Sequence, residues 1–193
     1  MDAFLIATGV VALAEIGDKT QLLSLVLAAR YRAPWAISAG IFVATLFNHA
    51  LAAWVGESVF EWIGPDWMRW IVGLSFIAMA IWTLIPDRLD EDEENAAEKN
   101  LRRYGVFVMT TVIFFLLEMG DKTQVATAIL AARFNELLPV VMGTTVGMLF
   151  ANVPLVFFGN LLLKKIRIEL VHRVTAALFL VLGVATLAGF SVA

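Results

Sequence analysis

The chain has 193 residues, 61% of them hydrophobic, with a mean hydropathy of +0.84 and a formal net charge of −3. Soluble domains are about 45–50% apolar, so the composition excludes an ordinary water-soluble domain and points to a membrane protein. The absence of cysteine excludes disulfides and thiolate metal sites.

The N-terminus, MDAFLIATGVVALAEIGDK, has no basic n-region and no small-residue cleavage site ahead of its charges. It is therefore expected to be the first membrane span rather than a removable signal peptide. A span needs roughly 20 mostly apolar residues. By that measure the first predicted span covers residues 3–29, although AEIGDKTQ at 14–21 interrupts it. The second covers 35–56 and the third 68–85, after turn-forming breaks at RYRAP and ESVFEWIGPDW. PDRLDEDEENAAEKNLRRYG follows, with seven acidic and four basic residues, a composition that reads as a solvated linker. The fourth span, 105–132, contains a second charged octet, LEMGDKTQ at 117–124. Spans at 138–162 and 171–190 complete a set of six, separated by FNELLP and KKIRIE. Trp35, Trp54, Trp67, Trp70, Trp82, Tyr31 and Tyr104 fall near span ends, as in an aromatic belt.

A shift of 103 residues aligns the halves without gaps. Glu15 falls on Glu118, Asp18 on Asp121, Arg30 on Arg133, Gly40 on Gly143, Phe47 on Phe150, Gly56 on Gly159 and Phe76 on Phe179. Ten of the seventeen positions in 15–31 are identical to those in 118–134. Each copy holds three spans, an odd number, so the second enters the membrane from the opposite side. The expected fold is an all-α membrane protein of six transmembrane helices in two inverted three-helix repeats. Residues 1–85 form the first repeat, 86–104 an acidic cytoplasmic linker and 105–193 the second repeat. The loops after spans one, three and five carry ten Lys and Arg residues. The opposite side holds Arg69 and Arg133, which sets both termini outside the cytoplasm.

The charged octets lie near the middle of their spans. An Asp, Lys or Arg at the bilayer centre costs roughly 2.5–3.5 kcal/mol on insertion scales, so six uncompensated charges would cost on the order of 15 kcal/mol. That rivals the whole stability of a domain, about 5–15 kcal/mol. On a continuous helix Glu15 and Asp18 share a face, as do Glu118 and Asp121. Gly17 and Gly120 between them let another backbone approach or let the helix break. Thr20, Gln21 and Ser24, with Thr123, Gln124 and Thr127, extend a polar track. Inverted halves let the four carboxylates converge on one midplane site. With Lys19 and Lys122 that site sums to −2, which one divalent cation or two protons would neutralise. Oxygen ligands without thiols suit Mg²⁺, Ca²⁺ and Mn²⁺.

The bland alternative is structural pairing of Glu15 with Lys19 and Glu118 with Lys122 at i,i+4, which leaves Asp18 and Asp121 uncompensated. Asn48 and Asn152 read either as ligand or pathway residues or as helix–helix hydrogen bonders. His49, aligned with Asn152, reads more readily as packing. No phosphate loop, nucleophile–base pair or nucleic-acid patch is visible, so no enzyme activity, resident cofactor or nucleic-acid partner is expected.

The doubled E-x-G-D-K-[ST] motif, EIGDKT at 15–20 and EMGDKT at 118–123, resembles a cation/proton antiporter family that includes bacterial manganese exporters and the Golgi manganese/calcium transporters of eukaryotes. TQLLSLVLAARYR and the NHALAAW run resemble the bacterial exporter branch. The resemblance implies export of Mn²⁺, or Ca²⁺, in exchange for H⁺ or Na⁺ across a bacterial inner membrane. It also implies ion binding by Glu15, Asp18, Glu118 and Asp121, with Thr20, Gln21, Thr123 and Gln124 in support. An exporter of a small cationic solute such as a basic amino acid, or a passive divalent-cation channel, would use the same carboxylates.

Overall fold

A computed structural model describes residues 1–63, 65–85, 105–159 and 168–189. Among them all regular structure is helical. The helices are α1 (Asp2–Glu15), α2 (Lys19–Tyr31), α3 (Pro34–Ile63), α4 (Pro65–Thr83), α5 (Gly105–Leu117), α6 (Lys122–Phe134), α7 (Leu137–Phe158) and α8 (Ile168–Leu187). The linker and Tyr104 lie outside the described residues. Of the eight helices, α3, α7 and α8 are long and apolar enough by themselves to cross a membrane, while α4 and α5 are apolar but shorter.

The first and fourth expected spans are not continuous helices. α1 stops at Glu15, Ile16 is extended, Gly17 adopts φ +89°, and α2 begins after Asp18. The second octet breaks in the same way, with Gly120 at φ +82° between α5 and α6. Left-handed φ is open to glycine and strained for most other residues, so these glycines allow the break. At 1.5 Å per residue, α1 and α2 are each about 20 Å long, shorter than the roughly 30 Å hydrocarbon core of a bilayer. The breaks overturn the expectation that Glu15 and Asp18 share a helix face. They flank an interruption instead, as do Glu118 and Asp121. α3 also runs past the expected end at 56, which places Glu57 within a helix.

Other details recur 103 residues apart. Arg32 and Asn135 end α2 and α6 in left-handed conformations, bonding back to Ala28 and Ala131 carbonyls at 3.2 and 2.8 Å. A Cβ on Gly40 would overlap Thr110 and the Phe107 carbonyl, and one on Gly143 would overlap the Phe4 carbonyl and crowd Ala7. The halves interlock, since α1 packs on α7, α3 on α6, α2 on α7 and α4 on α8. Phe76 stacks on its aligned counterpart Phe179, with ring centroids 6.1 Å apart. Around that pair Met68, Val72 and Leu182 join α1 and α6 in one apolar core, while Leu23, Leu27, Ile41, Met109 and Phe114 form a second.

One equivalence fails. Gly56 of α3 lies so close to α6 that a Cβ would overlap the Ala128 carbonyl, whereas Gly159, at the end of α7, has no such neighbour among the described residues. A cavity of about 560 Å³ opens there between α2 and α7, lined by Leu22, Leu25, Ala28, Val156 and Phe157. The outer surface is apolar, with Phe47, Leu51, Ile81, Leu116, Phe150 and Val181 exposed. Trp35, Trp54, Trp67 and Trp70 are exposed, and Trp82 is half-buried.

Candidate metal centre

The site forms where the two breaks meet. Asp18 caps α2, and its Oδ2 accepts from the Thr20 amide and hydroxyl, both at 3.3 Å. The cap holds that carboxylate at a helix N-terminus, where the helix dipole favours negative charge. Glu15, the last residue of α1, is fully buried. Its Oε1 accepts from the Thr20 hydroxyl and from Asn152 Nδ2 at 3.0 Å, and its Oε2 has no hydrogen-bond partner. Glu118 is also buried; its Oε2 accepts from the Thr123 hydroxyl at 2.6 Å and its Oε1 is left unsatisfied. Asp121 occupies the N-cap position of α6 and is buried.

Glu15, Asp18 and Glu118 each offer a carboxylate oxygen within 4.8 Å of the others'. Oxygens on opposite sides of an ion bound at about 2.3–2.6 Å stand about 4.6–5.2 Å apart, so the three fit around one hard cation. Of the four expected carboxylates these three converge; Asp121 is not in the group. Burying several carboxylates together is costly unless a cation or protons neutralise them. Glu15 Oε2 and Glu118 Oε1 are the oxygens that such neutralisation would serve.

The polar track supports the site from both halves. Gln21 accepts from the Gly17 amide at 2.9 Å and donates to the Ala151 carbonyl at 3.0 Å. Gln124 repeats this, accepting from the Gly120 amide and donating to Asn48 Oδ1. Asn48 is the residue aligned with Ala151. Ser24 donates to Asn152 Oδ1 at 2.9 Å. Thr127 instead donates to the Thr123 carbonyl in its own helix, at 2.8 Å. Asn48 Nδ2 reaches the Phe115 carbonyl at 3.4 Å. Asn152 thus serves the first motif and Asn48 the second, each across the halves.

The lysines begin α2 and α6. With the helices broken, neither stands one helical turn from its glutamate. Lys122, buried, donates to the Ile85 carbonyl at 2.7 Å, and Lys19 lies within electrostatic reach of Glu118 in the other half. The role of the Ala151 carbonyl left no trace in the sequence, because a backbone acceptor carries no side-chain signal. Pro154 lies three residues further on in α7 and has no N–H to give the helical ladder.

The sequence model described as "Divalent cation/proton antiporter GDT1" matches residues 3–91 and 106–191. A Vibrio cholerae protein named "Putative manganese exporter" is 51% identical over 187 residues, covering 96% of this chain and 90% of that protein. "GDT1-like protein 5" of Arabidopsis thaliana is 27% identical, covering 91% of this chain and 90% of its own length. A GDT1-like protein of Synechocystis is 26% identical across 95% of this chain and 96% of that one. No solved structure matches the chain.

Proposed function

The chain belongs to the divalent cation/proton antiporter family GDT1, and from that premise we propose that it exports Mn²⁺ across a bacterial inner membrane in exchange for H⁺. It is a multi-pass membrane transporter. Ca²⁺ is the second cargo that an oxygen-rich site would accept. The convergence of Glu15, Asp18 and Glu118 from both halves, with buried oxygens left unsatisfied, carries this reading.

In this reading the protein is two inverted three-helix repeats, 1–85 and 105–193, joined by the cytoplasmic linker 86–104, with both termini outside. Two aligned pairs support the axis: Phe76 stacks on Phe179, and Glu15 meets Glu118. Residues that meet their own counterparts mark where a pseudo-twofold passes. The breaks at Gly17 and Gly120 provide the discontinuous helices from which transporters build midplane ion sites. Glu15, Asp18, Glu118 and Asp121 bind the ion. Thr20, Gln21, Ser24, Asn48, Thr123, Gln124, Thr127 and Asn152 hold the carboxylates and line the path, while Lys19 and Lys122 set the charge balance.

Mn²⁺ and protons compete for the carboxylates, so Mn²⁺ loading on one side displaces protons to that same side, and the site takes up protons on the other after releasing the metal. Proteoliposomes holding the purified protein and an internal pH dye test this. Mn²⁺ added outside is expected to drive proton movement, with an apparent affinity that weakens as the pH falls. Glu15→Gln and Asp121→Asn are expected to abolish the signal. Proton movement driven by lysine but not by any metal would overturn the metal assignment. Metal flux that a pH gradient cannot drive uphill would make the protein a channel.

A further inference from the structure

The two breaks in the duplicated octets are not held alike. In a continuous helix the Gly17 amide would return to the Leu13 carbonyl, four residues back. It goes instead to Gln21 Oε1 at 2.9 Å, and the Leu13 carbonyl accepts from the Thr175 hydroxyl of α8 at 3.1 Å. That hydroxyl is buried and also reaches the Val171 carbonyl of its own helix at 3.0 Å. One and two turns earlier on α8, His172 and Ile168 lie over the break itself. A Cβ on Gly17 would come within 3.0 Å of His172 Nε2 and 2.5 Å of Ile168 Cγ2. Residues 168, 172 and 175 share one helix face, and that face closes on the end of α1.

The second break has no such cover among the described residues. A Cβ on Gly120 would meet nothing within 4 Å, and Gly120 and Met119 are exposed. The Leu116 carbonyl, counterpart of Leu13's, takes the Met119 amide at 3.3 Å within its own turn. The residues aligned with Ile168, His172 and Thr175 are Pro65, Arg69 and Val72. Arg69 lies beside Gly189 instead, and Val72, which has no hydroxyl, packs in the apolar core around Phe76. Ordinary helix packing accounts for an apolar contact such as Ile168. It does not account for a hydroxyl placed at a carbonyl that the break has deprived of its helical donor, a group that needs a partner when buried.

We propose that α8 is a positioning element of the ion site. Thr175, with His172 and Ile168, holds the end of α1 and so fixes Glu15, which makes the first motif the anchored half of the site and the second the half that gives way during transport. The inference rests on the exchanger reading above and assigns unequal parts to two motifs of nearly equal sequence. Glu15 stands two residues beyond the carbonyl that Thr175 holds, and its carboxylate takes the Asn152 amide from α7. Its backbone and its side chain are thus both tied to the second half of the chain.

Hydrogen–deuterium exchange on the detergent-purified protein, with and without Mn²⁺, tests the anchoring directly. Corrected for intrinsic rates, peptides covering 13–21 are expected to exchange more slowly than those covering 116–124, and Mn²⁺ to slow the second segment more than the first. Thr175→Val keeps the shape and removes the hydroxyl. It is expected to speed exchange in 13–21 alone and to raise the half-saturating Mn²⁺ concentration in proteoliposomes about fivefold, the factor that one net hydrogen bond is worth, with the maximal rate unchanged. Thr175→Ser, which retains the hydroxyl, should restore both. Equal exchange of the two segments in the wild type would overturn the anchoring, and it decides the matter even if a variant folds poorly. An unchanged half-saturation in Thr175→Val, or a loss confined to the maximal rate, would overturn the part of Thr175 in positioning Glu15. No Mn²⁺ flux in the wild type, beside unequal exchange, would overturn the exchanger reading and not the anchoring.

Discussion

At the scale of single residues, Glu15 treats its two carboxylate oxygens differently. One of its oxygens is held by Thr20 and Asn152, and the other is buried and open. The held oxygen fixes the carboxylate, and the open one is available to a cation. Asn152→Ala removes the amide from Glu15 and the acceptor from Ser24 without touching a carboxylate. Outer-shell changes of this kind typically cost about 10–100-fold in metal affinity. The apparent Mn²⁺ affinity in an uptake assay is expected to fall by that factor while the protein remains folded. An unchanged affinity would show that Asn152 only joins helices. The sequence made the carboxylates legible, because a charge in hydrocarbon is conspicuous by its cost. It did not reveal which amide serves which glutamate, since Asn152 is 137 residues from Glu15 and no local spacing encodes that contact.

At the scale of elements, the two broken helices decide the geometry. Apolar periodicity read 3–29 and 105–132 as continuous spans, because one left-handed residue does not alter a hydropathy pattern. Gly17 and Gly120 in the sequence admitted a break, but only their backbone angles establish it. Alanine at either position is strained by roughly 1 kcal/mol for its left-handed φ. The surroundings then differ. A Cβ at Gly17 would come within 2.5 Å of Ile168 Cγ2 and 3.0 Å of His172 Nε2, whereas at Gly120 it would meet nothing within 4 Å. Gly17→Ala is therefore expected to lower Tm in detergent more than Gly120→Ala, which should lose roughly 2–4 °C. Equal losses would mean that α8 yields freely over the first break.

At the scale of the whole molecule, the halves share a sequence pattern but not a packing state. Gly56 is pressed against Ala128, while its counterpart Gly159 borders the cavity between α2 and α7. Ala131 on α6 is fully buried, whereas its counterpart Ala28 on α2 is half-buried in the cavity wall. The chain has no cysteine of its own, so single cysteines report cleanly. Ala28→Cys is expected to react readily with a water-soluble maleimide and Ala131→Cys slowly. If the halves exchange packing during transport, conditions that load the opposite side should reverse the order. Equal rates under all conditions would argue against a rocking exchange.

The interlock also has a consequence for how the protein is made. Gln21 bonds a carbonyl 130 residues downstream, and Glu15 waits for an amide 137 residues away. At a synthesis rate of about 5–20 residues per second, that wait lasts about 7–27 s. During it the first octet has been translated and Glu15 lacks the Asn152 amide. The insertion machinery must shelter this segment, or keep it hydrated, until α7 emerges. A nascent chain truncated at the linker would lack the Asn152 amide and the Ala151 carbonyl that hold this break, which makes it a natural substrate for membrane quality control.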